Sequence, residues 1–346
     1  MSTLPCGTFN KTYAQDMAIV RTRMQWLILL GFFILLFTLP LYLPGQYLYL
    51  SIYIGATVVA ALGLNILTGY CGQISIGTSA FMAVGAFTAG ILIKDIGMSF
   101  WLTLPISGIM AGIIGLFFGI PSLRVKGLYL ALATLAAQFI ITFVIANFFK
   151  GNVGVTIPAP TIGPIRFSTN QHYFYIVLVV VILLTFFAKN IVRTRVGRAF
   201  IAIRDNDTAA EAMGINVFRY KLLAFFIGCF YAGVAGDLWA TYAGLATLDS
   251  YSLTTSIWLL GMVVVGGTGS ISGTIFGVVF IRAIDYEVQQ IAHQFSHVLT
   301  GNVISALSIF VFSFVLLLFL IFEPRGLAHR WEVFKTAYRL HPWASY

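Results

Sequence analysis

Two histidines, His293 and His297, stand four residues apart, a spacing at which two imidazoles on one helical face can share a metal ion. No further ligand is spaced to complete the set, and the pair falls in what reads as an outward-facing loop. Cys6, Cys71 and Cys229 are far apart, which suits neither a disulfide framework nor a metal cluster. There is no G-x-x-x-x-G-K-[ST] phosphate loop, so the chain is read as having no ATPase of its own. Neither catalysis nor a resident cofactor is expected. The informative ionisable residues are Asp237, Arg282, Asp285 and Glu287, because they lie within apolar surroundings. A charge at mid-membrane costs about 2.5–3.5 kcal/mol on insertion scales, so such residues are functional candidates by default. Asp237 reads as near the outer end of its helix, where that cost falls, and stays a functional candidate. Arg282 and Asp285, three apart on one face, are expected to pair and satisfy each other near the outer surface.

These residues need elements to hold them, and composition says what kind. The chain has 346 residues, of which 59% are hydrophobic and 9% charged; a soluble domain carries about 25% charged residues. A water-soluble core of this size has no use for so much apolar surface, so lipid must be the solvent for most of the chain. The net charge of +9 fits basic residues gathered in cytoplasmic loops, not a nucleic-acid partner. The first apolar stretch begins only at Trp26 and lacks a small-x-small exit, so no cleavable signal peptide is expected.

The apolar runs predict an all-α polytopic membrane protein with about ten transmembrane helices, each long enough for a core of roughly 30 Å. They read approximately as 26–44, 47–67, 75–93, 100–120, 128–149, 172–191, 220–242, 253–266, 271–292 and 303–322. The domains are a cytoplasmic N-terminal tail (1–25), a transmembrane domain (26–322) with a cytoplasmic loop (193–221), and a cytoplasmic C-terminal tail (323–346). Placing the N-terminus inside puts most of the 20 Lys and Arg residues in cytoplasmic segments, and Lys94, Lys150 and Arg166 outside. The basic tail from Arg325 puts the C-terminus on the same side, which requires an even number of crossings. That parity is restored by splitting the run from Thr254 to Ile281 at "GGTGS", Gly266 to Ser270.

The same interruption occurs earlier. Gly69-Tyr-Cys-Gly-Gln-Ile-Ser75 aligns with Gly266-Gly-Thr-Gly-Ser-Ile-Ser272, sharing both glycines, an isoleucine and a serine at equal offsets. Each comes after an inward-going apolar run and precedes an outward-going one. Duplicated breaks at corresponding positions of two halves point to a transport pathway, while small residues also permit close helix packing. The pathway candidates are Gly69, Gly72, Gln73, Ser75, Gly266, Gly269, Ser272 and Asp237. Both breaks are expected to form glycine-broken elements.

One long charged segment lies between Arg193 and Lys221. Within it, Thr208-Ala-Ala-Glu211 has the form of a capping box, with the threonine hydroxyl as N-cap acceptor. Ala209, Ala210, Ala212 and Met213 favour a helix of about one to two turns, and Gly214 suits the left-handed residue that ends one. The preceding "RAFIAIRD" is amphipathic and suits a membrane surface. A compact helix with a small Ala/Met face is either an ordinary connection or a knob shaped for a groove on a cytosolic partner.

Five ordered blocks carry a resemblance: "GLNILTGYCGQISIGTSAFMAVGAFTAGIL", "RVKGLYLALATLA", "GRAFIAIRDNDTAAEAMGINVFRYKLLAF", "MVVVGGTGSISGTIFG" and "IFEPRGL". From about Ala61 to Leu327 the chain resembles permease subunits of branched-chain amino acid ABC importers, of the type called LivM. The resemblance implies a permease of ten or so helices in a bacterial inner membrane. Its implied partners are a second, LivH-type permease, two cytosolic ABC ATPases and a periplasmic substrate-binding protein. It also implies that Thr208 through Gly214 is the coupling helix that docks into the ATPase. The chain departs from the pattern at Cys71, where threonine is common, at Thr78, where histidine is frequent, and at Asp237, where a small residue is usual. These departures leave open sister substrates such as urea, short amides or aromatic acids. An ion-coupled secondary transporter is the rival class: it would use carboxylates such as Asp237, Asp285 and Glu287, and would have no need of the loop helix.

Overall fold

The architecture is set by one constraint. In hydrocarbon every backbone N–H and C=O must be bonded internally, so apolar runs form helices and breaks survive only where other protein wraps them. A computed structural model describes residues 23–122, 128–148, 154–162, 165–166, 169–294, 301–323 and 325–340. Cys6, His297, most of the N-terminal tail, the joint 124–127, Lys150 and the last six residues fall outside these.

The first half runs through α1 (Arg23–Tyr42), α2 (Gly45–Leu64) and a π-helical turn (Asn65–Tyr70), then α3 (Thr78–Lys94), α4 (Phe100–Ser122) and α5 (Leu128–Phe148). Short strands β1 (Gly154–Thr156), β2 (Thr161–Ile162) and β3 (Ile165–Arg166) precede α6 (Asn170–Arg193). Two shorter helices come next, α7 (Arg195–Asp205) and α8 (Asp207–Ala212), and then the long α9 (Val217–Ala243). Strand β4 (Leu245–Thr247) and a 3-10 turn (Leu248–Tyr251) lead into α10 (Leu253–Gly266), α11 (Ile271–Gln294), α12 (Gly301–Phe322) and α13 (Gly326–Leu340). Strand β1 pairs antiparallel with β4, Gly154 opposite Thr247, and so ties the segment before α6 to the end of α9. The apolar periodicity gave no sign of that pairing.

Segments 45–70, 100–121, 129–148, 170–193, 217–243 and 303–322 are long and apolar enough to cross a membrane. Segments 26–42, 78–94 and 253–266 are apolar but shorter. Large apolar side chains cover the outside of α1, α4, α5 and α12, including Leu27, Phe117, Phe143 and Phe310, each more than half exposed. That is the surface of a protein solvated by lipid, and the chain is an all-α polytopic membrane protein.

The core centres on α9, which packs against α2, α3 and α4. Small residues let these backbones approach closely, as membrane helices without a hydrophobic driving force require. A Cβ on Gly63 would stand 2.7 Å from the carbonyl oxygen of Gly228, and one on Gly233 would stand 2.7 Å from that of Ser107. The N-terminus of α3 is fixed to that of α10 by a buried polar cluster. Ser79 N–H donates to Ser256 Oγ at 2.9 Å; Ser79 Oγ contacts the Ser252 carbonyl at 2.7 Å. The Gln138 side chain accepts from Ala80 N–H at 2.8 Å and donates to the Tyr251 carbonyl at 2.9 Å.

Candidate functional site

The two glycine breaks meet. Helix α2 loosens into its π turn, where Cys71 N–H bonds back to the Ile66 carbonyl at 3.2 Å. Gly72 then turns the chain with φ +73°, and Gly269, its partner in the sequence alignment, does so with φ +80°. Both dihedrals lie in the left-handed region that glycine enters without a Cβ penalty. Beyond their glycines the two breaks diverge. After Gly269, Ser270 caps α11 directly, its hydroxyl accepting from Gly273 N–H at 3.1 Å. After Gly72, residues 73–77 run on without helix, and Ile76 N–H bonds to Thr134 Oγ1 at 3.0 Å before α3 begins at Thr78. The expected start at residue 75 was therefore three residues early.

Asn65 joins the breaks. It is fully buried at the head of the π turn. Its Oδ1 accepts from Gly269 N–H at 2.8 Å, and its Nδ2 donates to the Ser270 carbonyl at 3.1 Å. The side-chain amide thus pairs the Gly269 N–H, as a buried backbone donor demands, and adds a bond to the Ser270 carbonyl, which also accepts from Thr274 N–H and Oγ1. Gly69 lies against the same spot: a Cβ there would overlap Asn65 Oδ1 and the Gly269 nitrogen. Gly266 and Gly267 are covered on their other side by the turn into α13, where Gly326 packs on Gly267.

The charged segment between α6 and α9 reaches this junction through Arg204, near the end of α7. Its Nη1 donates to the Gly69 carbonyl at 3.1 Å, while Nε and Nη2 are held by Asp205 Oδ1 at 3.1 and 3.0 Å. A Cβ on Gly72 would meet Arg204 Cγ at 3.0 Å and its Cα at 3.3 Å, so α7 leans directly on the first break. Helix α7 buries Gly197, Ala199, Phe200 and Ile203, in keeping with its amphipathic pattern.

Helix α8 begins just past Arg204, and its cap corrects the capping-box reading. Asn206 is the N-cap, not Thr208: Asn206 Oδ1 accepts from Thr208 N–H at 3.0 Å and Ala209 N–H at 3.1 Å. Thr208 lies inside the first turn, where its hydroxyl bonds to the same Asn206 oxygen at 2.7 Å. Asparagine won because its side chain reaches two orphan N–H groups at once. The far end closes with Gly214 at φ +82°, Gly214 N–H bonded to the Glu211 carbonyl and Ile215 N–H to the Ala210 carbonyl. That pair of bonds is a Schellman motif. Ala210 is buried, whereas Thr208, Ala209, Glu211, Ala212, Met213 and Gly214 are exposed, Met213 at 84%. The Lys221–Asp207 ion pair, 2.5 Å and partly buried, fixes α8 to the start of α9.

The remaining candidates fall elsewhere. Gln73 and Ser75 are buried in the extended stretch beside the junction, and Gln73 Oε1 has no hydrogen-bond partner. Ser272 is exposed on the first turn of α11. Asp237 is fully buried, accepting from Ser107 Oγ and Thr241 Oγ1 at 2.9 Å each, in the α4–α9 packing and away from the breaks. Arg282 and Asp285 do face each other, but at 3.7 Å, and Arg282 Nε has no partner. The expected self-satisfied pair is thus only half made.

The profile described as "Branched-chain amino acid transport system / permease component" matches residues 46–321. The chain belongs to this permease family. The high-affinity branched-chain amino acid transport system permease protein LivM of Escherichia coli is 30% identical over 297 residues, covering 78% of this permease and 67% of that protein. LivM of Salmonella typhimurium is 29% identical over the same length. A probable branched-chain amino acid transport permease protein LivH of Methanocaldococcus jannaschii is 28% identical over 240 residues, or 65% of this permease and 75% of that protein. No solved structure matches.

Sequence reasoning missed Asn65 and Arg204. Asn65 left a signal: a primary amide in an apolar run, four residues before Gly69. Arg204 left none beyond being basic in a basic loop.

Proposed function

We propose that this permease forms half of the translocation path of an ABC importer for branched-chain or related amino acids. In this reading it pairs with a second, LivH-type permease, takes substrate from a periplasmic binding protein, and is driven by two cytosolic ATPases. Ten helices cross a bacterial inner membrane and both termini are cytoplasmic. The relatives of the LivM type and the absence of a phosphate loop support the partner assignment.

The single observation that carries the mechanism is the path from loop to break. Helix α8 is capped at both ends, anchored by Ala210 and Lys221, and exposes a small face. Such a knob suits insertion into a groove on an ATPase. Just before α8, Arg204 holds the Gly69 carbonyl, and Gly69 abuts the Asn65–Gly269 clamp. A displacement of α8 would therefore reach both glycine breaks through a short chain of hydrogen bonds. The backbone at Gly72 and Gly269 can change φ more freely than any other residue there, which suits breaks that open and close a path.

Uptake by reconstituted vesicles tests the class. It should require ATP and the binding protein and survive a protonophore; uptake abolished by the protonophore but indifferent to ATP would make this an ion-coupled carrier.

A further inference from the structure

Away from the breaks, near the start of α10 and along α11 and α12, lies a cavity of about 430 Å³. That is within the range of about 300–1,000 Å³ usual for small-molecule sites. Arg282 and Asp285 line it, with Tyr53, Trp258, Ser308 and Ile304 among the other walls. Arg282 is deeply buried, its relative exposure being 6%. Its guanidinium carbon sits 4.1 Å from the Tyr53 ring centre and 5.7 Å from that of Trp258. Yet its Nε has no hydrogen-bond partner, nor has Ser308 Oγ. The nearest carboxylate oxygen of Asp285 is 3.7 Å away, beyond hydrogen-bond range, and the other accepts from Gln289 Nε2 at 3.1 Å.

A buried guanidinium whose Nε lacks an acceptor bears an uncompensated desolvation cost and is suited to take a carboxylate or phosphate oxygen. A bare anion would bring a like charge close to Asp285. The complement of this loose plus–minus pair is a ligand with its own minus and plus ends. We propose that the Arg282–Asp285 cavity binds a small zwitterion, its anionic group on Arg282 and its ammonium on Asp285, with Trp258 and Ile304 against its apolar part. The assignment to a free amino acid rests on the importer reading above; the headgroup of a zwitterionic lipid has the same chemistry.

The test uses the full chain in its assembled complex, in nanodiscs, with L-leucine and phosphatidylethanolamine as probes. Leucine should bind, and leucinamide (no carboxylate) and isocaproate (no ammonium) should fail to compete, which is read on the unaltered protein. R282Q and D285N should each weaken leucine binding about tenfold or more, with R282K recovering part of the loss. If leucine does not bind but phosphatidylethanolamine retained in native mass spectra is lost in R282Q, the same zwitterion site serves a lipid. If leucine and the lipid are held equally by wild type and R282Q, or by neither, the proposal is overturned. ATP-driven leucine uptake recorded alongside separates the two claims: uptake at wild-type rate in R282Q sinks a substrate role here and leaves the importer reading intact.

Discussion

At the scale of residues, the proposed coupling between loop and breaks rests on a few side chains and two glycines. Replacing Gly72 or Gly269 by valine puts a β-branched residue at φ +73° or +80°, a strain of about 1–3 kcal/mol. At Gly72 the new Cβ also presses on Arg204. Both variants are expected to insert in the membrane at normal levels and to lose most uptake; full uptake by both would reduce these glycines to packing. Arg204→Ala should leave the fold intact and lower uptake, because it removes the bond that ties the loop to the Gly69 carbonyl. Legibility varied within this one site. The glycines could be read from a repeated pattern, since a backbone requirement leaves a residue type behind. Asn65 and Arg204 could not be assigned, because their partners lie 204 and 135 positions away in the chain, and nothing local encodes such a distance. Arg282 and Asp285 were legible as a pair from their spacing, but not as a cavity wall, which takes residues of other helices to build.

At the scale of elements, helices were legible because a membrane demands long apolar runs and the break residues between them are polar or glycine. Their exact ends were not, since tertiary partners decide them: Thr134 holds Ile76 out of α3, and Asn206 starts α8 earlier than Thr208 suggested. The corrected cap changes what mutation should do. Asn206→Ala frees two N–H groups and should weaken α8 by about 0.5–2 kcal/mol, with a moderate fall in uptake. Thr208→Ala should have the smaller effect, because both backbone bonds to Asn206 remain. A comparison of the two uptake rates decides between the caps. The lock between α3 and α10 makes a separate prediction. Gln138→Leu keeps the bulk but strips partners from Ser79, Ala80 N–H and the Tyr251 carbonyl. Each group keeps a second bond, Ser79 Oγ to the Ser252 and Tyr251 carbonyls and Ala80 N–H to the Gly77 carbonyl. The loss is therefore that of net hydrogen bonds, about 0.5–1.5 kcal/mol each, and the detergent-solubilised protein should melt at a lower temperature. An unchanged melting curve would mean that water or a rearranged Ser256 replaces the amide.

At the scale of the whole molecule, the claim is that force applied to a cytoplasmic knob reaches two breaks in the membrane. It requires α8 and both termini on one side, so tags at residues 1 and 346 should resist protease in intact cells while the 150–171 segment is cut from outside. A cleavable C-terminal tag would contradict the even number of crossings. The charge distribution is what suggests this topology, whereas the contact between the loop and the breaks left no trace in the sequence, since it exists only once α7 has docked beside Gly72. The most direct measurement is made on Ala212→Arg in reconstituted vesicles. Ala212 is exposed on α8 and takes no part in its caps, so arginine there should leave the membrane domain folded and obstruct only a partner. Coupling through α8 predicts that the ATPases no longer co-purify, or that substrate-stimulated ATP hydrolysis falls at least tenfold. Co-purification and stimulated hydrolysis both at wild-type level would contradict it.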